Sequence, residues 1–359
     1  MKLTLLIIFA SFASSFFILQ SIWKSKNHPS ASPDQQALAI WSGPTMGTSY
    51  TVKVAEQLDM QSKHGLELAC EQALKEVNML MSTYIPESEL SLFNSSRSLD
   101  WFNVSSKTLK VLKAGIQIGK LSEGAFDIAI GPLVNLWGFG PMDRPLSIPQ
   151  QAKIEGILEY SKFSLLSIQD EPPAVKKADF RTYVDLSGIA KGYGVDVLAD
   201  LLISRGYSNF IAEIGGEIRT SGNKFGTPWE IAVERPSEND FRRSIFRVVQ
   251  LGDSAIATSG DYRNYYEEDG QRFSHIIDPR TGYPIKHKIA SVTVISSSSM
   301  LADAWATAFS VLDEKKVKEI AQVLRIPVYL IEKQDNDFLE WYNQDFAAFL
   351  KSIPEQRRS

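Results

Sequence analysis

Cysteine occurs once in the 359 residues, at Cys70. An internal disulfide framework and a Cys-rich zinc or iron–sulfur site are therefore excluded. Cys70 falls in a helical pattern and reads as a buried structural thiol. Histidine is scarce too, with four in all, so one placed inside a motif stands out. A surplus of either charge is also missing: 38 Lys and Arg stand against 42 Asp and Glu, a formal net charge of −4, with no long block of one sign. Nucleic acid finds no electrostatic footprint on such a chain. No short-period repeat is present. The glycines at 188, 192 and 194 do not make GxGxxG, and no acidic residue follows in a βαβ context, so a Rossmann dinucleotide site is excluded as well.

What the chain does have is apolar material, 44% of its residues, enough to bury a substantial core in one large domain or two smaller ones. The N-terminus is distinctive. Lys2 precedes an apolar run from Leu3 to Trp23, and Lys24 and Lys26 follow it. The run approaches the ~20 residues that span a bilayer, while Ala13, Ser14 and Ser15 offer a signal-peptidase site. Residues 1–23 are thus expected to be a signal peptide or membrane anchor, residues 24–40, with Pro29 and Pro33, a flexible tether, and residues 41–352 a globular domain.

Periodicity organises that domain. Apolar residues at 66, 70, 73, 74, 77, 80 and 81 share one helical face. A second helix is predicted over 107–121, capped by Ser105 or Ser106, and a third over 189–205, ended by Gly206. Strands are predicted over 210–214, 229–234, 245–251, 273–277 and 291–295, then helices over 301–312 and 314–324 and a strand over 328–332. Runs of strands with grouped helices favour α+β, with mixed or antiparallel sheets, over a regular βαβ alternation.

Candidate chemistry sits in five segments: MGTSY (46–50), GAFDIAIGPLVNLWGFG (124–140), DLSGIAKGYG (185–194), SHIIDPRTGYP (274–284) and LADAWATA (301–308). Asp303 and Thr307 are four apart on a predicted helix, so both project from one face and can grip one ion. A carboxylate, a hydroxyl and nearby carbonyls are hard donors suited to Mg²⁺, which also binds substrate phosphates. DLSGIAKGYG sets three glycines and a lysine at a helix start; this is either an anion site on free N–H groups or a tight strand-to-helix junction. An unperturbed imidazole titrates near neutrality, so the type of side chain at His275 is able to take a proton from a hydroxyl or to hydrogen-bond a phosphate. In DPRTGYP, Pro279 and Gly282 occupy turn positions, and Asp278 reads as a loop-shaping residue. VNLWGFG is either a stacking wall or a packed loop.

Taken together and in order, these segments resemble the ApbE family of bacterial flavin transferases, which move FMN from FAD onto a protein threonine or serine. SGDYRNYY at 259–266 is similar to the family too, with Arg263 pairing either a phosphate or a carboxylate. The resemblance implies an α+β fold with the active site in a cleft between two subdomains, FAD as substrate and Mg²⁺ as cofactor. It implies flavin-nucleotide contacts from Met46, Ala125, Phe126, Asp127, Asp185, Lys191 and Ile277, with Lys191 replaced by Glu in some relatives. It implies magnesium ligands at Gly188, Asp303, Ala306 and Thr307, where Gly188 and Ala306 have only main-chain oxygen to offer. It makes His275 the candidate base. The implied acceptors are subunits of sodium-translocating NADH:quinone reductase or related electron-transfer complexes, with the enzyme at the bacterial inner membrane and its catalytic domain periplasmic. Many relatives carry a lipoprotein cysteine near the N-terminus; this chain has none there, so lipid anchoring by that route is not expected.

Overall fold

In the computed structural model of the chain, residues 37–351 are described apart from 142–146, 236–244, 261–264, 269–270 and 335–336; of 265–268 and 271–272 the backbone alone is described. The N-terminal apolar run, His28 and Arg263 lie outside the described residues. The compact unit begins at Leu38. Its first strand, β1 (Ala39–Thr45), already holds Ala39 and Ile40, the end of the segment read as tether, and β2 (Thr48–Val54) follows. Between them Met46 and Gly47 take φ of 48° and 72°, the two left-handed positions of a two-residue hairpin turn.

Along the chain come α1 (Met60–Met81), α2 (Glu89–Ser95), β3 (Phe102–Asn103), α3 (Ser106–Leu121), α4 (Gly131–Leu136), α5 (Gln151–Leu158), β4 (Leu166–Gln169) and β5 (Ala174–Lys177). Then follow α6 (Ala190–Ser204), β6 (Phe210–Ile214), β7 (Glu217–Ser221), β8 (Trp229–Glu234), β9 (Ile245–Leu251), β10 (Ser254–Gly260), β11 (Tyr265–Glu268), β12 (Gln271–Ser274) and β13 (Ile289–Ser296). The chain continues through α7 (Ser299–Val311), α8 (Glu314–Leu324), β14 (Val328–Gln334), β15 (Asp337–Tyr342) and α9 (Gln344–Ala347).

Eight strands form one sheet in the order β1-β2-β6-β7-β10-β13-β14-β15, every neighbouring pair antiparallel. Smaller sheets are β3-β5-β4, β8-β9 and β11-β12. The α+β reading is therefore correct. Alternation explains how the large sheet buries both faces. Phe210, Ala212 and Ile214 pack with Leu66, Cys70 and Leu74 of α1 and Val195, Leu198 and Leu202 of α6. On β10 and β13, Ile256 and Ile295 instead join Val233, Val249 and Leu251 of the β8–β9 hairpin. Cys70 is fully buried, and burial raises its thiol to about 11, as expected of a structural residue.

Several predicted boundaries move for physical reasons. Helix α1 starts at Met60, because Asp59 accepts from the Ser62 N–H; the polar, exposed turn after this cap has no apolar rhythm to reveal it. Ser105 caps α3 by accepting from the Thr108 N–H, and Gly206, at φ 91°, follows the end of α6. The strand predicted over 273–277 ends instead at Ser274; Ile277 makes only an isolated bridge to Pro284.

The junction of α6 and α7 is fixed by one carboxylate. Asp196 of α6 is buried, and its oxygens accept from Ser298 Oγ at 2.7 Å, from the Ser299 N–H at 2.9 Å and from the Met300 N–H at 3.0 Å, the open end of α7. Arg219 of β7 donates to the same carboxylate at 3.1 Å. Asp196 thus acts as a long-range cap for donors that a helix leaves unsatisfied. Asp196→Ala strands the hydroxyl and amide donors of α7, while Arg219 keeps Asp200 at 3.1 Å, and is expected to cost about 1–3 kcal/mol in urea unfolding; an unchanged midpoint would show that the clamp contributes nothing.

Candidate active site

The first turn of α6 lies against α7 because Gly192 has no side chain: a Cβ there would sit 2.2 Å from the Ser299 carbonyl oxygen and 2.8 Å from Asp303 Cβ. At this contact the Gly192 N–H donates to Asp303 Oδ2 at 2.9 Å. One free amide of the α6 N-terminus is therefore already engaged by Asp303. The other two glycines of DLSGIAKGYG are also packing positions. A Cβ at Gly188 would be 3.1 Å from both Phe126 Cε2 and Thr307 Cγ2, and one at Gly194 2.9 Å from Met46 Cε. The segment is thus a tight junction whose glycines bring 188 beside 307 and 192 beside 303. Those two regions, remote in sequence, meet at one place.

Lys191 projects from the same turn. Its ammonium lies 2.6 Å from Glu217 Oε1 and 3.8 Å from Asp303 Oδ1. Burial disfavours the charge on Lys191, but the carboxylates of Asp303 and Glu217 outweigh it and hold the amine protonated. Burial in turn pushes Glu217 up to about 7 and raises Asp303, with Lys191 opposing both shifts. One cation is shared by two buried carboxylates, and Glu217 Oε2 has no hydrogen-bond partner. Such a site carries an excess of negative charge that a further cation would relieve.

Thr307, one helical turn beyond Asp303, has its hydroxyl 3.4 Å from Ser259 Oγ at the end of β10. The Asp303 carboxylate and the Thr307 and Ser259 hydroxyls are oxygen donors, and Gly188 packs closely against Thr307. Among the described residues no group of three or more His, Cys, Asp and Glu side chains converges as a metal cage. Oxygen donors of this kind suit Mg²⁺, which keeps open positions for water and phosphate; zinc would want nitrogen or sulfur.

These residues open onto a cleft of about 890 Å³. Ala125, Phe126, Asp127, Asp185, Gly188, Lys191, His275, Ile277, Asp303 and Thr307 all line it. Met46 and Ala306 do not. Met46, in the hairpin turn, packs among core residues. Ala306 is fully buried, and its carbonyl accepts the Ser310 hydroxyl at 2.8 Å. Two aspartates on the wall are tied to backbone. Asp185 accepts from the Ser187 N–H at 2.8 Å; Asp127 accepts from the Ala129 and Phe163 N–H groups at 2.7 and 3.0 Å. Burial raises both carboxyls, Asp127 to about 6, against these hydrogen bonds.

His275 follows β12, and the Phe139 ring meets its imidazole edge-on with centroids 6.3 Å apart. The loop that presents it is rigidly made. Asp278 accepts from Arg280 N and Nε, both at 2.9 Å, and the Gly282 carbonyl accepts from Trp137 Nε1 at 2.8 Å. Trp137 is fully buried and stacks on Phe273. VNLWGFG is therefore both things in part: Trp137 packs the loop, whereas Phe139 lines the cleft.

Sequence reasoning missed Glu217, Ser259 and Asp196. Glu217 follows Gly215 and Gly216, at φ 59° and 106°, and its acidic side chain opens a strand whose first position is buried. A carboxylate directly after a Gly-Gly turn was the available signal. Ser259 lay inside a noted motif, but nothing local aims it at Thr307.

An α+β scaffold that gathers a buried carboxylate pair, a hydroxyl and an imidazole around one cleft has the groups expected of a group-transfer enzyme. The chain belongs to the ApbE family, whose sequence profile matches residues 46–330. It is 47% identical over 310 residues to the FAD:protein FMN transferase of Vibrio cholerae, covering 86% of this chain and 92% of that one. It is 37% identical over 318 residues to the protein of the same name from Escherichia coli, covering 88% and 90%. Among solved structures, the flavin transferase ApbE of Vibrio cholerae superposes with a TM-score of 0.80 at 44% identity, covering 88% of this chain and 99% of that chain. The apo flavinyl transferase ApbE of Pseudomonas stutzeri gives 0.81 at 33% identity, covering 90% and 100%.

The Asp127 carboxyl supplies a pH test. Its folded value of about 6 exceeds the ordinary 3.8, so the folded state binds the proton more tightly. Its contribution is fully present below about pH 4 and is lost as pH rises through 6. Urea unfolding of the metal-free protein should show this decline between pH 4 and 6, and Asp127→Asn should flatten it; an identical slope in the variant would refute the assignment.

Proposed function

We propose that this chain is an FAD:protein FMN transferase that uses Mg²⁺, with the cleft bordered by Asp303, Thr307, Gly188 and His275 as its active site. The observation that carries the reading is the meeting of the 188 and 303–307 regions beside Lys191 and Glu217. An acceptor threonine or serine hydroxyl attacks the FMN-side phosphorus of FAD. The new P–O bond joins FMN to the acceptor as the bridging bond breaks and AMP leaves. Asp303 and Thr307, with main-chain oxygen near Gly188, would hold the metal. When bound, Mg²⁺ neutralises charge on the phosphate oxygens and makes the phosphorus more electrophilic.

His275 takes the hydroxyl proton as the P–O bond forms. Lys191 keeps its charge between Glu217 and Asp303 and adds a positive field at the diphosphate. Ala125, Phe126 and Ile277 give the cleft apolar walls, while the backbone-tied carboxyls of Asp127 and Asp185 are directed polar groups in it. The acceptors are subunits of sodium-translocating NADH:quinone reductase or related electron-transfer complexes. The N-terminal segment takes the domain to the periplasmic side of the inner membrane, as anchor or cleaved signal; mass spectrometry of the mature N-terminus separates the two.

Incubation with FAD, Mg²⁺ and an acceptor subunit should give a fluorescent acceptor band on a denaturing gel. Free FMN and AMP without that band would make the chain an FAD pyrophosphatase instead, and intact FAD would make it a flavin-binding protein. Asp303→Ala is expected to weaken Mg²⁺ binding in calorimetry by at least ~100-fold and to remove turnover; full activity at limiting Mg²⁺ would sink the metal assignment. His275→Ala should lower the transfer rate by about 100- to 10,000-fold while Mg²⁺ and FAD affinities stay within about twofold. A loss confined to FAD affinity would make His275 a phosphate ligand and not a base.

A further inference from the structure

One wall of the cleft is unlike the rest. Five successive residues of β8, Glu230 to Glu234, line it. Side chains of a strand alternate between two faces, so an unbroken run reaches a cavity only where the strand presents its backbone edge. Strand β8 pairs with β9 and, among the described residues, with no other strand.

The direction of its backbone groups follows from β9. The Gln250 N–H donates to the Phe349 carbonyl at 2.8 Å, and the Lys351 N–H donates to the Val248 carbonyl at 2.9 Å. Val248 and Gln250 therefore turn their backbone groups away from β8. By the antiparallel alternation, Val249 and Leu251 exchange their bonds with Ile231 and Trp229, their register partners. Glu230 and Ala232, opposite Gln250 and Val248, thus direct N–H and C=O to the other edge, the one on the cleft. Both residues are exposed, whereas Val233 is buried and Ile231 packs into the core. The Glu230 carboxylate is drawn toward β9 and the C-terminal segment by Gln250 and Lys351, at 3.2 and 2.7 Å. What faces the cleft at Ala232 is a strand edge with only a methyl group beside it.

We propose that this edge of β8 docks the acceptor protein, by taking the segment that carries its hydroxyl residue as an added β-strand. The inference rests on the transferase reading and specifies how the partner is held. A folded acceptor does not fit into about 890 Å³, so its threonine or serine enters on a local segment, and the edge of β8 suits one that is extended. The peptide groups of that segment lose water as they enter and need partners. Glu230 and Ala232 offer two donors and two acceptors at strand spacing, in the same cleft as Asp303 and His275. Main-chain pairing of this kind supplies affinity for many sequences, leaving the side chain of one residue to meet the reacting phosphorus.

Ala232→Pro removes the cleft-facing donor without touching the β8–β9 ladder, and proline is tolerated on a strand edge. Ala232→Ser keeps the N–H. With an acceptor subunit of sodium-translocating NADH:quinone reductase, Ala232→Pro should lose at least about tenfold in kcat/KM for the acceptor. FAD affinity and acceptor-free AMP release should remain within about twofold, and Ala232→Ser should match the wild type. Transfer by Ala232→Pro within about twofold of wild type, or an equal loss in FAD affinity, would overturn the proposal; the second outcome would give the edge to FAD. Hydrogen exchange on the wild-type chain avoids any folding defect of the variant. The Ala232 and Glu230 amides should gain protection when the acceptor subunit is added, and unchanged exchange would equally overturn the docking mode. Failure of the wild type itself to label the acceptor, with FMN and AMP released, is the separate signature of a wrong transferase reading, and it removes the docking proposal with it.

Discussion

A single ammonium group, Lys191, stands between two buried carboxylates, and the architecture of the cleft can be understood as what is needed to keep it there. Asp303 and Glu217 come from a helix and a strand more than eighty residues apart, and neither is stable as a lone buried anion. Lys191 offsets part of their charge, and the Gly192 amide next to it stabilises one oxygen of Asp303. Burial still lifts Glu217 to about 7, with Lys191 opposing the shift and the neighbouring Asp303 adding to it.

The surrounding packing serves that arrangement. Gly192 brings the α6 terminus onto α7, Asp196 caps α7 from the other side of the same helix pair, and Gly188 lets Phe126 and Thr307 approach. The helix pair is seated on the antiparallel sheet, whose β7 and β10 contribute Glu217 and Ser259. The opposite face of the sheet carries the β8–β9 hairpin. One scaffold thereby supplies a buried ionic centre and, on the same cleft, a strand edge that no other described strand pairs.

Much of this was legible from residue order. The i, i+4 spacing of Asp303 and Thr307 put both on one helical face, and the helix is there from Ser299 to Val311. The strands at Phe210–Ile214, Trp229–Glu234 and Ile245–Leu251 coincide with their alternating patterns. Where the reading fell short, the deciding contact was distant. The run after Phe273 has strand-like composition, but a turn held by Asp278, Arg280 and Trp137 ends pairing at Ser274. The DLSGIAKGYG glycines look equally like an anion cradle and a packing junction until Ser299, Thr307 and Met46 are found against them. Met46 and Ala306 are not among the residues that line the cleft: Met46 is half-buried against the core and Ala306 is fully buried.

By itself the sequence determined the α+β class, the amphipathic faces, the helix end at Gly206, a cap at Ser105 or its neighbour, and the kinds of atom available for chemistry. Those are local properties, set by periodicity, backbone stereochemistry and side-chain type. Only the tertiary structure decided that Glu217 shares Lys191 with Asp303, that Ser259 meets Thr307, and that β8, with an edge no other described strand pairs, lines the same cleft. Each of those depends on contacts between segments far apart in the chain, and long-range register and burial leave no mark in any single window of residues.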